Sequence, residues 1–165
     1  MEKTYLKRKR NRLSGYDYST AGAYFVTICA DKKKPLFARI VGEGLAPPEI
    51  LLSPSGKVFQ EELENLSKSY LQVSIDEYVI MPNHIHILLQ IEAGGASPSP
   101  TLSELVCVLK SKTTHRCNRL LGKKTIFQRS YYDHVIRNQD DFLATKRYIQ
   151  ENPLKWVLDE LYVTD

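Results

Sequence analysis

The sequence predicts an α+β fold built on an antiparallel sheet. Three observations carry that reading. Residues 23–30, 73–81, 84–91 and 131–137 are rich in β-branched and aromatic residues and read as strands. Three longer stretches, opening near Ser53, Thr101 and Asn138, carry helix start signals. The elements follow one another as β, α, β, β, α, β, α. A split β-α-β pair in that order is a ferredoxin-like β-α-β-β-α-β layer: an antiparallel sheet with its helices on one face, followed here by one more C-terminal helix.

Each element has a local reason. Ala23 to Ala30 is an apolar, β-branched run closed by Lys32-Lys33-Lys34-Pro35. Residues 36–53 hold two short extended pieces around Gly42, Gly44, Pro47 and Pro48, read as a peripheral hairpin. Ser53-Pro54 suits an N-cap followed by the first helical position, and Val58, Leu63, Leu66 and Tyr70 form the stripe of the helix it opens. Pro82-Asn83 marks a turn between the second and third strands. Residues 92–100 read as a flexible surface loop. Thr101 and Glu104 fit a capping box, Leu102, Leu105, Val106, Leu109 and Thr113 supply the apolar face, and Gly122 ends that helix. Asn138 can cap the last long helix, with Asp140 and Asp141 in its first turn. Pro153 should push Asn152 out of the α region and stop it there, with a short final helix over 154–161.

The chain has 165 residues, 42% of them hydrophobic, enough for one domain with a real core, read as residues 23–165 behind a basic arm, 1–22. No apolar run approaches the ~18 residues of a membrane span. The charged start does not read as a secretory signal, and three cysteines without a CxxC pair read as reduced thiols, so a cytoplasmic setting is expected. The net charge of +4 is unevenly distributed. Residues 1–12 have six basic residues against one acidic, residues 110–137 eight against one, and the remainder sums to −8. Two basic segments on an acidic body ask for an anionic partner, nucleic acid before a membrane surface.

Two constellations could carry chemistry. His84 and His86 stand at i and i+2 on a strand, so both imidazoles project to one face and can share a metal ion, while Ile85 and Ile87 point to the core. The plain alternative is two polar residues on a solvent-facing sheet. Two imidazoles at the start of so apolar a strand would be costly without a partner. Tyr148 and Asn152 lie at i and i+4 on one helix face. Packing by Tyr148 and capping by Asn152 explain that spacing equally well. Taken with the histidines, two imidazoles and an amide oxygen could hold Mg²⁺ or Mn²⁺ with positions left for phosphate oxygens, beside a phenol that could attack phosphorus.

Residues 76–86, DEYVIMPNHIH, resemble the signature of the HUH (His-hydrophobe-His) single-strand transposases. More narrowly, the chain resembles the REP-associated tyrosine transposases. The similarity runs in order through 12–18 (RLSGYDY), 21–29 (AGAYFVTIC), 109–114 (LKSKTT), 128–137 (QRSYYDHVIR) and 148–153 (YIQENP), over roughly residues 8 to 156. The resemblance implies an endonuclease and strand transferase for single-stranded, hairpin-containing DNA, acting through a covalent 5′-phosphotyrosine with a divalent metal. It carries the metal role to His84 and His86 and the nucleophile role to Tyr148 on the C-terminal helix. Asn152 falls where relatives place a third metal-contacting amide, one methylene shorter than the glutamine usual in the insertion-sequence branch.

Tyr131 and Tyr132 are rival nucleophiles, but they alternate on a strand and read as core or base-stacking residues. Asp133 and His134 could contact phosphate or be structural. Lys7, Arg8, Lys9, Arg10 and Arg12 on the arm, with Lys112, Arg116 and Arg119 on one helix face, are the candidate DNA contacts; the alternative is a solvated charged surface. A non-catalytic ferredoxin-like nucleic-acid binder, a domesticated transposase, is the competing function. Monomer and homodimer are both compatible with the sequence.

Overall fold

The computed structural model describes residues 12–42 and 47–162; Lys7, Arg8, Lys9 and Arg10 lie outside the described residues. Strand β1 (Gly22–Cys29) is followed by the hairpin β2 (Ala38–Val41) and β3 (Glu49–Leu52), then α1 (Pro54–Ser69), β4 (Val73–Ile80) and β5 (His84–Ile91). The chain continues through α2 (Leu102–Leu121), β6 (Tyr132–Val135), α3 (Gln139–Glu151) and a 3₁₀ segment, Asn152–Leu158. The main sheet has the order β4-β5-β1-β6, with every neighbouring pair antiparallel. This is the ferredoxin-like order expected from the sequence.

The two faces of the sheet have different covers. Tyr24, Val26 and Ile28 of β1 and Ile85, Ile87, Leu89 and Ile91 of β5 pack against Val58, Phe59 and Leu63 of α1 and Leu102, Leu105 and Leu109 of α2. Burying one such side chain contributes about 1.5–3 kcal/mol. On the other face Val79, Met81 and Leu88 meet Ile149 of α3 in a smaller cluster that also takes in Phe25, Phe142 and Trp156. The helices of the β-α-β units therefore share one face, and α3 lies across the opposite one. Cover on both sides explains why β5 is buried almost throughout instead of alternating.

The local signals act as the sequence predicts. Ser53 caps α1 through Gly56 N, the capping box of Thr101 and Glu104 is complete, Gly122 ends α2 at φ 67°, and Asn138 caps α3 through Asp141 N. Gly56 is required for packing: a Cβ there would stand 2.0 Å from the Phe37 carbonyl oxygen. Two details differ. Asn152 stays helical, at φ −57° and ψ −41°, although a proline follows. The chain runs straight on into 3₁₀ geometry, where Pro153 occupies an early position that needs no N–H donor. The final helix is thus 3₁₀ and stops at Leu158, before the extended Asp159.

The described part of the arm is laid on the body. Tyr16 and Tyr18 pack against the main core, and Leu102 N donates to the Tyr18 carbonyl. No helix among the described residues is long and apolar enough to cross a membrane.

Candidate active site

The Pro82-Asn83 turn starts β5 directly at His84, so His84 and His86 sit at the strand's entrance on the face that α3 covers. Both are buried, at 0% and 3% exposure, which excludes the solvent-facing alternative. Their rings are 4.6 Å apart. Each is held by its Nδ1: that of His84 lies 2.8 Å from Asn83 Oδ1, that of His86 2.8 Å from Thr27 Oγ1. Since Asn83 Oδ1 can only accept, His84 Nδ1 carries the proton and Nε2 keeps a lone pair. The Nε2 atoms of both histidines are buried with no hydrogen-bond partner. Each such orphan costs about 1–3 kcal/mol unless something fills its place.

Asn152, at the end of α3, brings a third buried, unpartnered atom, Oδ1. Its Nδ2 donates to Asp159 Oδ2 at 3.3 Å, and that oxygen lies 3.8 Å from His84 Nε2. Ligand atoms of His84, His86 and Asp159 all fall within 4.8 Å of one another, so these three could hold a metal ion. Two ligands about 2.1 Å from one Mg²⁺ stand at most about 4.2 Å apart, a limit that the 3.8 Å between His84 Nε2 and Asp159 Oδ2 meets. Orphaned nitrogens, an orphaned amide oxygen and a nearby carboxylate form a donor set that fits a divalent cation.

Electrostatics agree with that use. Burial pushes His84 down to about 4 against the opposing pull of Asp159, and burial together with the neighbouring His84 holds His86 well below its usual range. Both imidazoles are neutral at pH 7, as metal ligands must be. The Tyr148 ring packs edge-on at 5.3 Å from the His86 ring and 5.9 Å from Phe25, and remains 47% exposed. Burial, then the charge of Asp159, raises its phenol above the ordinary value. Trp156 covers His84 at 5.8 Å.

Three contributors were invisible in the sequence reading. Thr27 reaches His86 only because β1 and β5 pair in one particular register. Asn83 reads as a turn residue, yet it orients His84 and donates through Nδ2 to the Leu161 carbonyl at 2.6 Å. Asp159 lies beyond Pro153, with no spacing rule to connect it to the histidines.

The predicted DNA contacts are scattered. Arg12 stacks on the Tyr131 ring, 4.9 Å from its centroid. Lys112, Arg116 and Arg119 stand on α2, across the sheet from the histidines. Arg116 is taken up by α1, bonding Glu61 at 2.5 Å and Glu62 at 2.8 Å, so the helix face does not offer it as a free cation. The partners of Arg116 are some 55 residues away in sequence and could not be read from the spacing of the α2 cations. A groove of about 1210 Å³ runs between α2 and residues 123–131; Arg12, Lys110, His115, Lys124 and Arg129 line it, and among the described residues no carboxylate does. Tyr131 is buried with its hydroxyl 3.1 Å from Ser103 Oγ, whereas Tyr132 faces outward on the histidine side. His134 pairs with Asp141 at 2.9 Å.

The family model for IS200-like transposases matches residues 50–152, more than half of the chain and a span that includes His84, His86, Tyr148 and Asn152. The chain belongs to the IS200-like transposase family. The chain is 32% identical to an uncharacterized protein of Haemophilus influenzae, over 94% of this chain and 93% of that one. It is 33% identical to the REP-associated tyrosine transposase of Escherichia coli over 85 residues, 50% of this chain and 47% of that one. A solved REP-associated tyrosine transposase bound to a REP hairpin has the same fold, with a TM-score of 0.62 at 21% identity, covering 87% of this chain and 74% of that one. In this IS200-like chain the family match ends before Asp159, the carboxylate nearest the histidines.

Proposed function

We propose that this transposase-family chain cleaves and rejoins single-stranded, hairpin-containing DNA through a covalent link to Tyr148. The observation that carries the reading is the convergence of three buried, unpartnered donor atoms, His84 Nε2, His86 Nε2 and Asn152 Oδ1, beside the exposed Tyr148 ring. A divalent cation, Mg²⁺ or Mn²⁺, held by His84, His86, Asn152 and Asp159 would polarise the scissile phosphate and offset its charge. The Tyr148 phenol oxygen forms the new bond to phosphorus, the bond from phosphorus to the 3′ oxygen breaks, and that oxygen leaves as a hydroxyl carrying the proton released by the phenol. A 5′-phosphotyrosine remains. Attack on it by a 3′-hydroxyl of another end reverses the step and joins the strands with no outside energy source.

Burial raises the Tyr148 phenol, so the free side chain is a poor nucleophile and would depend on the charge of a cation held by the histidines. The ring lies against the histidines of its own chain, which supports cleavage within one protomer. The groove beside Arg12, lined by Lys110, Lys124 and Arg129, together with Lys112 and Arg119, suits DNA phosphates. The hairpin bound by the solved relative supports a hairpin partner here.

The test is a labelled oligonucleotide with a hairpin and single-stranded flanks, incubated with Mn²⁺ or Mg²⁺ and resolved under denaturing conditions. A covalent protein–DNA adduct is expected from the wild-type chain, Tyr131→Phe and Tyr132→Phe, and none from Tyr148→Phe. An adduct that survives Tyr148→Phe overturns the assignment. Hairpin binding with no adduct, indifferent to metal and to His84→Ala, would favour the non-catalytic binder instead.

A further inference from the structure

The sheet face that carries the histidines extends beyond them to the edge strand. Val79, His86, Thr27 and Tyr132 are successive cross-strand neighbours in a single row from β4 to β6. Directly opposed residues of antiparallel strands share a face, so the Tyr132 ring stands on the same side as His86. α3 covers only part of this face. Ile149 packs on Val79 and Leu88, and Gln150 Nε2 donates to Glu77 Oε2 at 2.7 Å, which seats the helix over β4 and β5. The β6 edge is open: Tyr132 is 54% exposed, and its ring has no aromatic or hydrogen-bonding partner among the described residues.

The opening faces the proposed nucleophile. Tyr148 leans from α3 against Phe25 on β1, so only the width of β1 separates it from β6. Ala144, one turn before Tyr148 on the same helix face, is exposed and adds no bulk to fill the space. His134, two residues after Tyr132 and on the same face, bonds Asp141 in the first turn of α3 at 2.9 Å. That bond fixes the edge strand relative to the helix carrying Tyr148. Single exposed aromatics are ordinary on protein surfaces. This one lies in line with the histidines, two strand spacings or about 10 Å from His86.

We propose that Tyr132 is a base platform, stacking on the nucleobase next to the phosphate that Tyr148 attacks. Any base offers a π face, so such a platform holds a single strand without reading its sequence. A base paired in a duplex cannot splay onto it, so the platform discriminates single from double strands. The inference rests on the single-strand reading above and deepens it by naming what holds the strand beside the bond cut.

The experiment follows binding, so that cleavage can fail separately. An oligothymidylate carrying one 2-aminopurine is titrated with the full chain, moving the fluorescent base position by position. Because a uniform strand binds in many registers, quenching is expected at every interior position with the wild-type chain and with Tyr132→Phe, and is lost with Tyr132→Ala. Affinity for the single strand should fall about 5- to 150-fold in Tyr132→Ala, while duplex binding is unchanged. Tyr132→Leu, which keeps bulk but not the π face, should behave as Tyr132→Ala does and guards against a folding defect in the smaller variant. Single-strand affinity unchanged in both variants overturns the platform. Binding and quenching without any covalent adduct leave the platform standing and overturn only the cleavage reading; no single-strand binding by the wild-type chain overturns both.

Discussion

Asn83 Oδ1 accepts a hydrogen bond from His84 Nδ1 at 2.8 Å, while Nδ2 of the same side chain donates to the Leu161 carbonyl at 2.6 Å. One buried amide therefore sets the tautomer of a proposed metal ligand and pins the segment that presents Asp159. Asn83→Ala should lower Mn²⁺ affinity about 10- to 100-fold, the usual cost of losing an orienting partner behind a ligand. Calorimetric titration of the metal-free chain with Mn²⁺ measures this. Thr27→Val should have a similar effect through His86, and Thr27→Ser should restore most of the affinity, since Thr27 Oγ1 is the group that holds the ring.

The two histidines also predict a pH dependence of stability. His84 is pushed down to about 4 and His86 also lies well below its usual value, both by burial. The unfolded chain takes up these protons near pH 6.5 and the folded chain only well below it. Stability is therefore fully present above pH 6.5 and is lost as pH falls from 6.5 through about 4. Denaturant melts of the metal-free chain across that range should show the decline. His84→Ala with His86→Ala should flatten it, and saturating Mn²⁺ should oppose it. Chemical shifts of the His84 or His86 imidazole that titrate near 6.5 in the folded chain contradict the prediction.

The legible and illegible parts of this molecule divide by the range of the interactions involved. Ser53, Thr101 with Glu104, Gly122 and Asn138 act on backbone groups within a few residues, and their positions in sequence were enough to place helix ends. The His84–His86 face and the Tyr148–Asn152 face follow from strand and helix periods. That the two faces meet follows from α3 lying back across β4 and β5, which the order of elements alone does not specify. A bulge at Asp76 adds a further complication: it shifts β4 so that Ile75 and Tyr78 both pack toward the main core, which strict alternation forbids. The pairing of Arg116 with Glu61 and Glu62 was out of reach for the same reason as Asp159: the partner is distant in sequence.

Asp159 can be separated from the other donors because its charge acts on two observables in opposite ways. Asp159→Asn keeps a hydrogen-bonding side chain of the same size but removes the negative charge beside His84 and Tyr148. Loss of the charge should weaken Mn²⁺ binding, as expected for an anionic ligand. It should also bring the Tyr148 phenol down toward its ordinary value, because the Asp159 charge is one of the causes that raise it. Difference absorbance of the phenolate, with Tyr148→Phe as the reference, reads the second effect without metal. If Mn²⁺ affinity is unchanged while the phenol moves, Asp159 is a neighbour of the site and not a ligand.

Arg116 should behave as a structural residue and Lys112 as a surface cation, although both lie on the same basic helix. Arg116 bridges Glu61 and Glu62, and the Glu62 side chain is 8% exposed. Arg116→Ala leaves that carboxylate buried without its partner and should cost about 1–3 kcal/mol of stability. Because the guanidinium is already paired, the salt dependence of DNA binding should be nearly unaffected. Lys112 is exposed and has no ion pair among the described residues. If Lys112 meets a phosphate, Lys112→Ala should leave stability unchanged within about 0.5 kcal/mol and reduce the slope of log affinity against log salt by about 0.7 for a single strand. Chemical denaturation and anisotropy titrations at several salt concentrations give the two readings for each variant. A reduced slope in Arg116→Ala at full stability would return that residue to the DNA surface.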